Sequence, residues 1–182
     1  MNRNEALTLL GQHLKKDAMI KHSLASEAIM RGLAGALGFE EGSWALAGLL
    51  HDIDFEYTEN EPQKHGIVAM SLLPDDIPAP VREAIMRHNE ANGSKRAEPI
   101  DFALAAGESI TGLIIATALI YPDKKLSSVK TKSVAKRMKE KAFARNVSRE
   151  CIMECEKIGL ELPRFIELSI ESMQKISTEL GL

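Results

Sequence analysis

The stretch Pro99-Ile-Asp-Phe-Ala-Leu-Ala-Ala-Gly-Glu-Ser-Ile-Thr-Gly-Leu-Ile-Ile-Ala-Thr-Ala-Leu-Ile120 sets the fold. Pro99 suits the first turn of a helix, Pro122 ends it, and the residues between them are apolar on nearly every face. Such a helix is central and buried, so its neighbours must wrap it. On both sides apolar residues recur with the 3.6-residue period of a helix, and no segment alternates as a strand does. Towards the N-terminus, helices are expected from Asn4 to about His13, from Lys16 or Asp17 until Gly35 and Gly38 loosen the end, and from about Glu41 to His51. Asp52 to Pro62 lacks a period and reads as a loop. Lys64 to Leu73 and a segment opened by Pro80 that carries Val81, Ile85 and His88 complete that side. Towards the C-terminus, Ser148 starts a helix that Gly159 ends, and Pro163 opens a last one reaching Leu180. The fold class is all-α, a bundle of about eight or nine helices.

Composition leads to the same class. Hydrophobic residues make up 45% but aromatics only 4%, so Leu, Ile, Ala and Met fill the core, a palette that favours helix over sheet. With 182 residues and no linker-like tract or internal repeat, one domain spanning 1–182 is expected. No leader-like apolar region comes after Met1 and no window reads as a membrane span, which points to a cytoplasmic protein without a membrane partner. Cys151 and Cys155 stand one helical turn apart with no further Cys or His near them in sequence, and read as buried packing residues. The net charge of -3 is uneven, because nine Lys and Arg between Lys124 and Arg145 face only Glu140. With Val129, Val134, Met138 and Phe143 apolar, that segment reads as an amphipathic helix with a solvated basic face. No stacking aromatics are interleaved with its charges, which disfavours nucleic acid as its partner.

Five histidines occur, and each taken singly reads as a packing or surface residue. His51-Asp52 differs, because it ends the apolar run Trp44-Ala-Leu-Ala-Gly-Leu-Leu and precedes an acidic, irregular stretch. An imidazole and a carboxylate side by side at a helix end can reach one ion together. His22 precedes the pair on one long helix and Glu108 comes after it on another, and inward-facing side chains on separate helices are how a bundle builds a metal site. These donors suit zinc, manganese, iron, cobalt or nickel without choosing among them.

The order of these residues resembles the H…HD…D signature of HD-domain phosphohydrolases. His-Ser-Leu-Ala-Ser-Glu-Ala at 22–28, Ala-Gly-Leu-Leu-His-Asp-Ile-Asp at 47–54, Lys-His-Gly at 64–66 and Arg-His-Asn-Glu at 87–90 are similar to successive motifs of that family. The resemblance covers about residues 15–120 and leaves 124–182 as an extension. It implies the HD-type helical bundle and, because His65 and His88 fall between the His-Asp pair and the last acid, the two-metal form. Two positions depart from the pattern: Glu108 stands where the family usually has Asp, and Asn89 where many two-metal members carry a second consecutive histidine. Asp101 lies on the same helix face as Glu108, but the Ser-Ile-Thr-Gly-Leu after Glu108 resembles the run after the family's acid, which favours Glu108.

The resemblance implies a metal-dependent hydrolase acting on a phosphomonoester or phosphodiester, with a nucleotide as the expected small partner. In it, His51 and Asp52 anchor the site and Asp52 bridges two divalent ions. His22 and Glu108 complete one side, and His65 and His88 the other. Around these, Asp54 is expected to orient a ligand histidine, while Lys64 and Asn89 are candidates for contact with substrate, Lys64 reading more readily as a surface residue. The alternative is a regulatory module that binds metal or nucleotide without turnover. Oligomeric state is left open.

Overall fold

A computed structural model describes all 182 residues. Its elements are α1 (Arg3–His13), α2 (Asp17–Leu37), α3 (Glu41–Leu50), α4 (Phe55–Thr58), α5 (Ala69–Leu72), α6 (Ala79–Arg87), α7 (Pro99–Leu119), α8 (Thr131–Met138), α9 (Arg149–Met153), α10 (Leu162–Gln174) and α11 (Ser177–Leu180), with single 3-10 turns between several of them and no strand. α7 is the axis: α2, α3, α6, α8, α9 and α10 all pack on it. Pro99 sits in its first turn, where a missing N–H costs nothing, and fourteen of its residues are buried. The expectation that no segment could pass for a membrane span needs correcting here. α7 is long and apolar enough by composition, and two-thirds of that window is buried by the other helices, as befits a core helix. The core is one cluster running from Ala6 to Leu180, so the C-terminal extension contributes Ile152, Phe165 and Met173 to the same interior as α2 and α7.

α2 and α3 cross closely enough to exclude any side chain at Gly48. A methyl group there would lie 2.6 Å from the Ser26 carbonyl oxygen and 2.9 Å from the Glu27 nitrogen. That crossing fixes the distance between His22 on α2 and His51 at the end of α3.

Several local expectations change: the stretch from Asp52 to Pro62, expected as a loop, carries α4, the helix expected from Ser148 turns 3-10 after Met153, and the last helix divides into α10 and α11. The first helix is capped by Asn2 rather than Asn4: the Asn2 side chain accepts from the Glu5 N–H at 3.0 Å while Glu5 accepts from the Asn2 N–H at 2.8 Å. Residues 64–73 do not form one helix. Gly66 adopts φ +85°, and the buried Asp54 carboxylate draws in the N–H groups of Gly66 and Ala69 at 2.8 and 2.9 Å, so only α5 remains helical. The basic segment is likewise broken, with helix only from Thr131 to Met138. Beyond Met138 the Arg149 guanidinium donates to the carbonyls of Ala144 at 2.7 Å and Val147 at 2.8 Å, satisfying backbone groups that a continued helix would have paired.

Candidate metal centre

Five structural elements deliver six side chains to one point. α2 carries His22, the C-terminal end of α3 carries His51 and then Asp52, the turn after a 3-10 segment at Pro62–Lys64 carries His65, the end of α6 carries His88, and the middle of α7 carries Glu108. They form two triads, His22–His51–Glu108 and Asp52–His65–His88, within each of which the ligand atoms lie within 4.8 Å of one another. The Asp52 carboxylate spans both: Oδ2 is 3.5 Å from His22 Nε2 and 3.4 Å from His51 Nε2, while Oδ1 is 3.0 Å from His65 Nε2 and 3.7 Å from His88 Nε2. Glu108 Oε2 approaches His22 Nε2 to 3.7 Å, so the extra methylene does not keep its carboxylate from the cluster.

The outer face of each imidazole is held so that its Nε2 faces inward. His51 Nδ1 donates to the Gly48 carbonyl at 2.8 Å and His88 Nδ1 to the Ile85 carbonyl at 2.6 Å. His22 Nδ1 is 2.9 Å from Thr111 Oγ1, whose own hydroxyl donates to the Glu108 carbonyl at 2.7 Å, leaving the threonine oxygen to accept from the ring. His65 Nδ1 lies 2.8 Å from the fully buried Asp54. With the Nδ1 protons placed outward, the four Nε2 atoms present lone pairs to each other, at 3.1 Å between His22 and His51 and 3.0 Å between His65 and His88. Lone pairs and carboxylate oxygens crowded this closely, with no Lys or Arg among them, are stable only around protons or cations. The donor set therefore fits divalent metal.

Ionisation reflects the same crowding. Burial outweighs the attraction of Asp52 and lowers His22 to about 4. Burial also opposes charge on His65, but its contacts with Asp52 and Asp54 prevail and raise it to about 10. Asp52, buried among histidines, is held well below the usual carboxylate range because His51, His65 and His88 outweigh its desolvation. Burial pushes Glu108 up to about 7. These values set a proton linkage. At pH 8 metal-free protein carries a proton on His65 that metal must displace, whereas His22 has none to lose. Towards pH 7 and below, Glu108 and His51, whose burial the neighbouring Asp52 outweighs to raise its pKa, add further protons, so apparent metal affinity rises with pH up to about 10 and more steeply at the acid end. Calorimetric titration of zinc or manganese in buffers of different ionisation enthalpy should read at least one proton released at pH 8 and more at pH 6. Binding without proton release at pH 8 would contradict it.

Of the remaining expected residues, Asp54 and Asn89 lie at the centre, Asn89 also lining the cleft, and Lys64 does not. Asp54 backs His65, and Asn89 braces the same turn, donating to the carbonyls of Pro62 at 2.6 Å and His65 at 3.1 Å. Lys64 is not brought to the cluster; its amine pairs with Glu61 at 2.6 Å and is half exposed. Asp101 sits at the other end of α7, accepting from Arg87 at 3.1 Å and from the N–H groups of Ala97 and Glu98. Sequence reading missed Thr111, although its i,i+3 spacing from Glu108 puts it on the same helix face. It also missed Asn146, Val147, Ser148 and Cys151, which wall the open cleft of about 840 Å³ in which the centre lies.

Asp54 carries a prediction. In Asp54→Asn the amide oxygen can keep accepting from Gly66 and Ala69, but the NH₂ then faces His65 Nδ1 and turns the ring's proton onto Nε2. Metal affinity should fall about 10- to 100-fold with little loss of secondary structure, as read by competition with a chelator and by circular dichroism.

Among known proteins, a family model described as HD domain matches residues 19–119, more than half of the chain. No curated protein and no solved structure matches it.

Proposed function

From the premise that this chain belongs to the HD-domain family, whose all-helical fold it shares, we propose that it is a metal-dependent phosphohydrolase cleaving a small phosphoester, with nucleotides the first substrates to test. The observation that carries the reading is Asp52, whose two carboxylate oxygens divide between two histidine-containing triads. In this reading His22, His51 and Glu108 hold one divalent ion, His65 and His88 hold a second, and Asp52 serves both. Divalent cations so held supply Lewis acidity, which acidifies water and neutralises phosphoryl charge.

The protein's own residues do the rest. Thr111, the Gly48 and Ile85 carbonyls and Asp54 keep each Nδ1 proton outward, so no ring has to turn before its Nε2 can act as a ligand, and His65 alone has a proton to give up there at pH 8. Next to Glu108, α7 packs closely on α2, where a methyl group at Gly107 would lie 3.2 Å from Ile29 Cγ2. The cleft leaves the front open to a ligand and offers Asn146 and Ser148 as neutral hydrogen-bonding groups.

Elemental analysis of the purified protein together with a hydrolysis screen tests the proposal. Stoichiometric transition metal and release of phosphate or alcohol from at least one phosphoester are expected. If metal-replete protein leaves a broad panel of phosphoesters intact while a nucleotide raises its melting temperature, a binding module without turnover replaces the enzyme.

A further inference from the structure

Resting on the hydrolase reading above, we propose that the substrate carries a single phosphoryl group on an uncharged organic moiety, and that the wall built from Glu90 and residues 146–148 rejects polyphosphates. None of the seventeen residues lining the cleft is a lysine or arginine. Its formal negative charges come from Asp52, Glu108 and Glu90, the first two within the metal centre and the third at the rim. One phosphoryl group can be neutralised at the centre. Each further phosphate would carry one or more additional charges past Glu90 with no cation to meet it.

The basic side chains beside the lining are already committed: Lys16, whose amine lies 5.8 Å from the centroid of the Phe55 ring, pairs with Glu59. Arg96 donates to the carbonyls of Arg87 and His88 at 3.3 and 3.0 Å, pairs with Glu90 and Glu154, and is only 6% exposed. The basic residues between Lys124 and Arg145 also stay off the cleft, since none of them lines it. What the cleft does offer suits a sugar or a base: Met19, Phe55 and Val147 as apolar surface, and Asn146 and Ser148 as neutral hydrogen-bonding groups, the Ser109 hydroxyl being donated to Glu108 at 2.6 Å.

The wall is built rather than adventitious. A methyl group on Gly112 would lie 3.0 Å from Val147 Cγ2, so glycine at this turn of α7 lets the 146–148 segment settle against the helix that carries Glu108. Arg149 fixes the same segment from behind through the carbonyls of Ala144 and Val147. In the reaction a water oxygen forms a bond to phosphorus, the ester P–O bond breaks, and the departing oxygen takes up a proton to leave as a neutral alcohol. The wall therefore never has to hold a second anion.

The test uses the full-length, metal-replete protein. We expect kcat/KM for a nucleoside 5′-monophosphate or a sugar monophosphate to exceed that for the nucleoside 5′-triphosphate by about 100-fold or more. A non-hydrolysable nucleoside 5′-phosphonate should, by calorimetry, bind more tightly than a methylene-bridged triphosphate analogue. Asn146→Arg, which installs the missing cation, should narrow both preferences about tenfold. Equal cleavage or equal binding of the triphosphate, or no response to Asn146→Arg in either measurement, overturns the proposal while leaving the hydrolase reading intact. If no ester is cleaved but the phosphonate still binds selectively, the hydrolase reading falls and the cleft's selectivity stands.

Discussion

Asp52→Ala is expected to strip the purified protein of most of its metal and to lower phosphoester hydrolysis by roughly three powers of ten, the several kcal/mol that a lost Lewis acid represents. No other carboxylate comes within 4 Å of histidines from both triads, Glu108 reaching only His22 and Asp54 only His65. Removing any one histidine leaves Asp52 facing the remaining ligands of both sides, whereas removing Asp52 leaves only the imidazoles of His65 and His88 on one side and strips His22, His51 and Glu108 of the carboxylate they share with it. A second readout does not depend on turnover. His65 owes its raised pKa of about 10 to both Asp52 and Asp54, so in Asp52→Ala its proton should come off at distinctly lower pH. NMR titration of the imidazole resonances in metal-free protein would show this. A variant that retained full metal and activity would remove Asp52 from the centre.

The second large effect is expected far from any ligand atom. Gly48→Ala sets a methyl group 2.6 Å from one backbone atom of α2 and 2.7 Å from the next, and neither can rotate out of the way. The helices must separate, at a cost of roughly 1–3 kcal/mol, or several degrees in melting temperature for a protein of this size. Because the same crossing holds His22 and His51 with their Nε2 atoms 3.1 Å apart, metal affinity should fall along with stability. Gly11→Ala is the control. An added methyl meets nothing within 4 Å on the exposed face of α1, and the substitution should stabilise by about 0.5–1 kcal/mol. Thermal melts with and without metal separate the two outcomes, and a Gly48→Ala protein as stable as the parent would show that the crossing has slack.

How far the sequence carries is clear from particular residues. The cluster was legible because histidine and carboxylate are uncommon on apolar helix faces and fall in a recognisable order, so His22, His51, Asp52, His65, His88 and Glu108 could be named without coordinates as side chains that meet. α7 was legible because a proline on each side bounds an apolar run. What was not legible depends on contacts between distant segments. Gly48 looks like any small residue in a helix until Ser26 is seen against it. The helix expected from Lys64 begins only at Ala69 because Asp54, earlier in the chain, takes the N–H groups of Gly66 and Ala69. The basic segment breaks because Arg149 supplies a partner for backbone that local pattern would have made helical.

In the two-ion reading proposed above, the Asp52 carboxylate that faces both triads would also make their occupancies interdependent. An ion captured on one side fixes the orientation of the carboxylate plane and so prepares its second oxygen for the other side, which would otherwise have to order it unaided. Filling should therefore be cooperative, with protein passing from empty to doubly loaded over a narrow range of free metal. A preparation with half the expected metal would then be a mixture of two populations rather than a uniform singly loaded species.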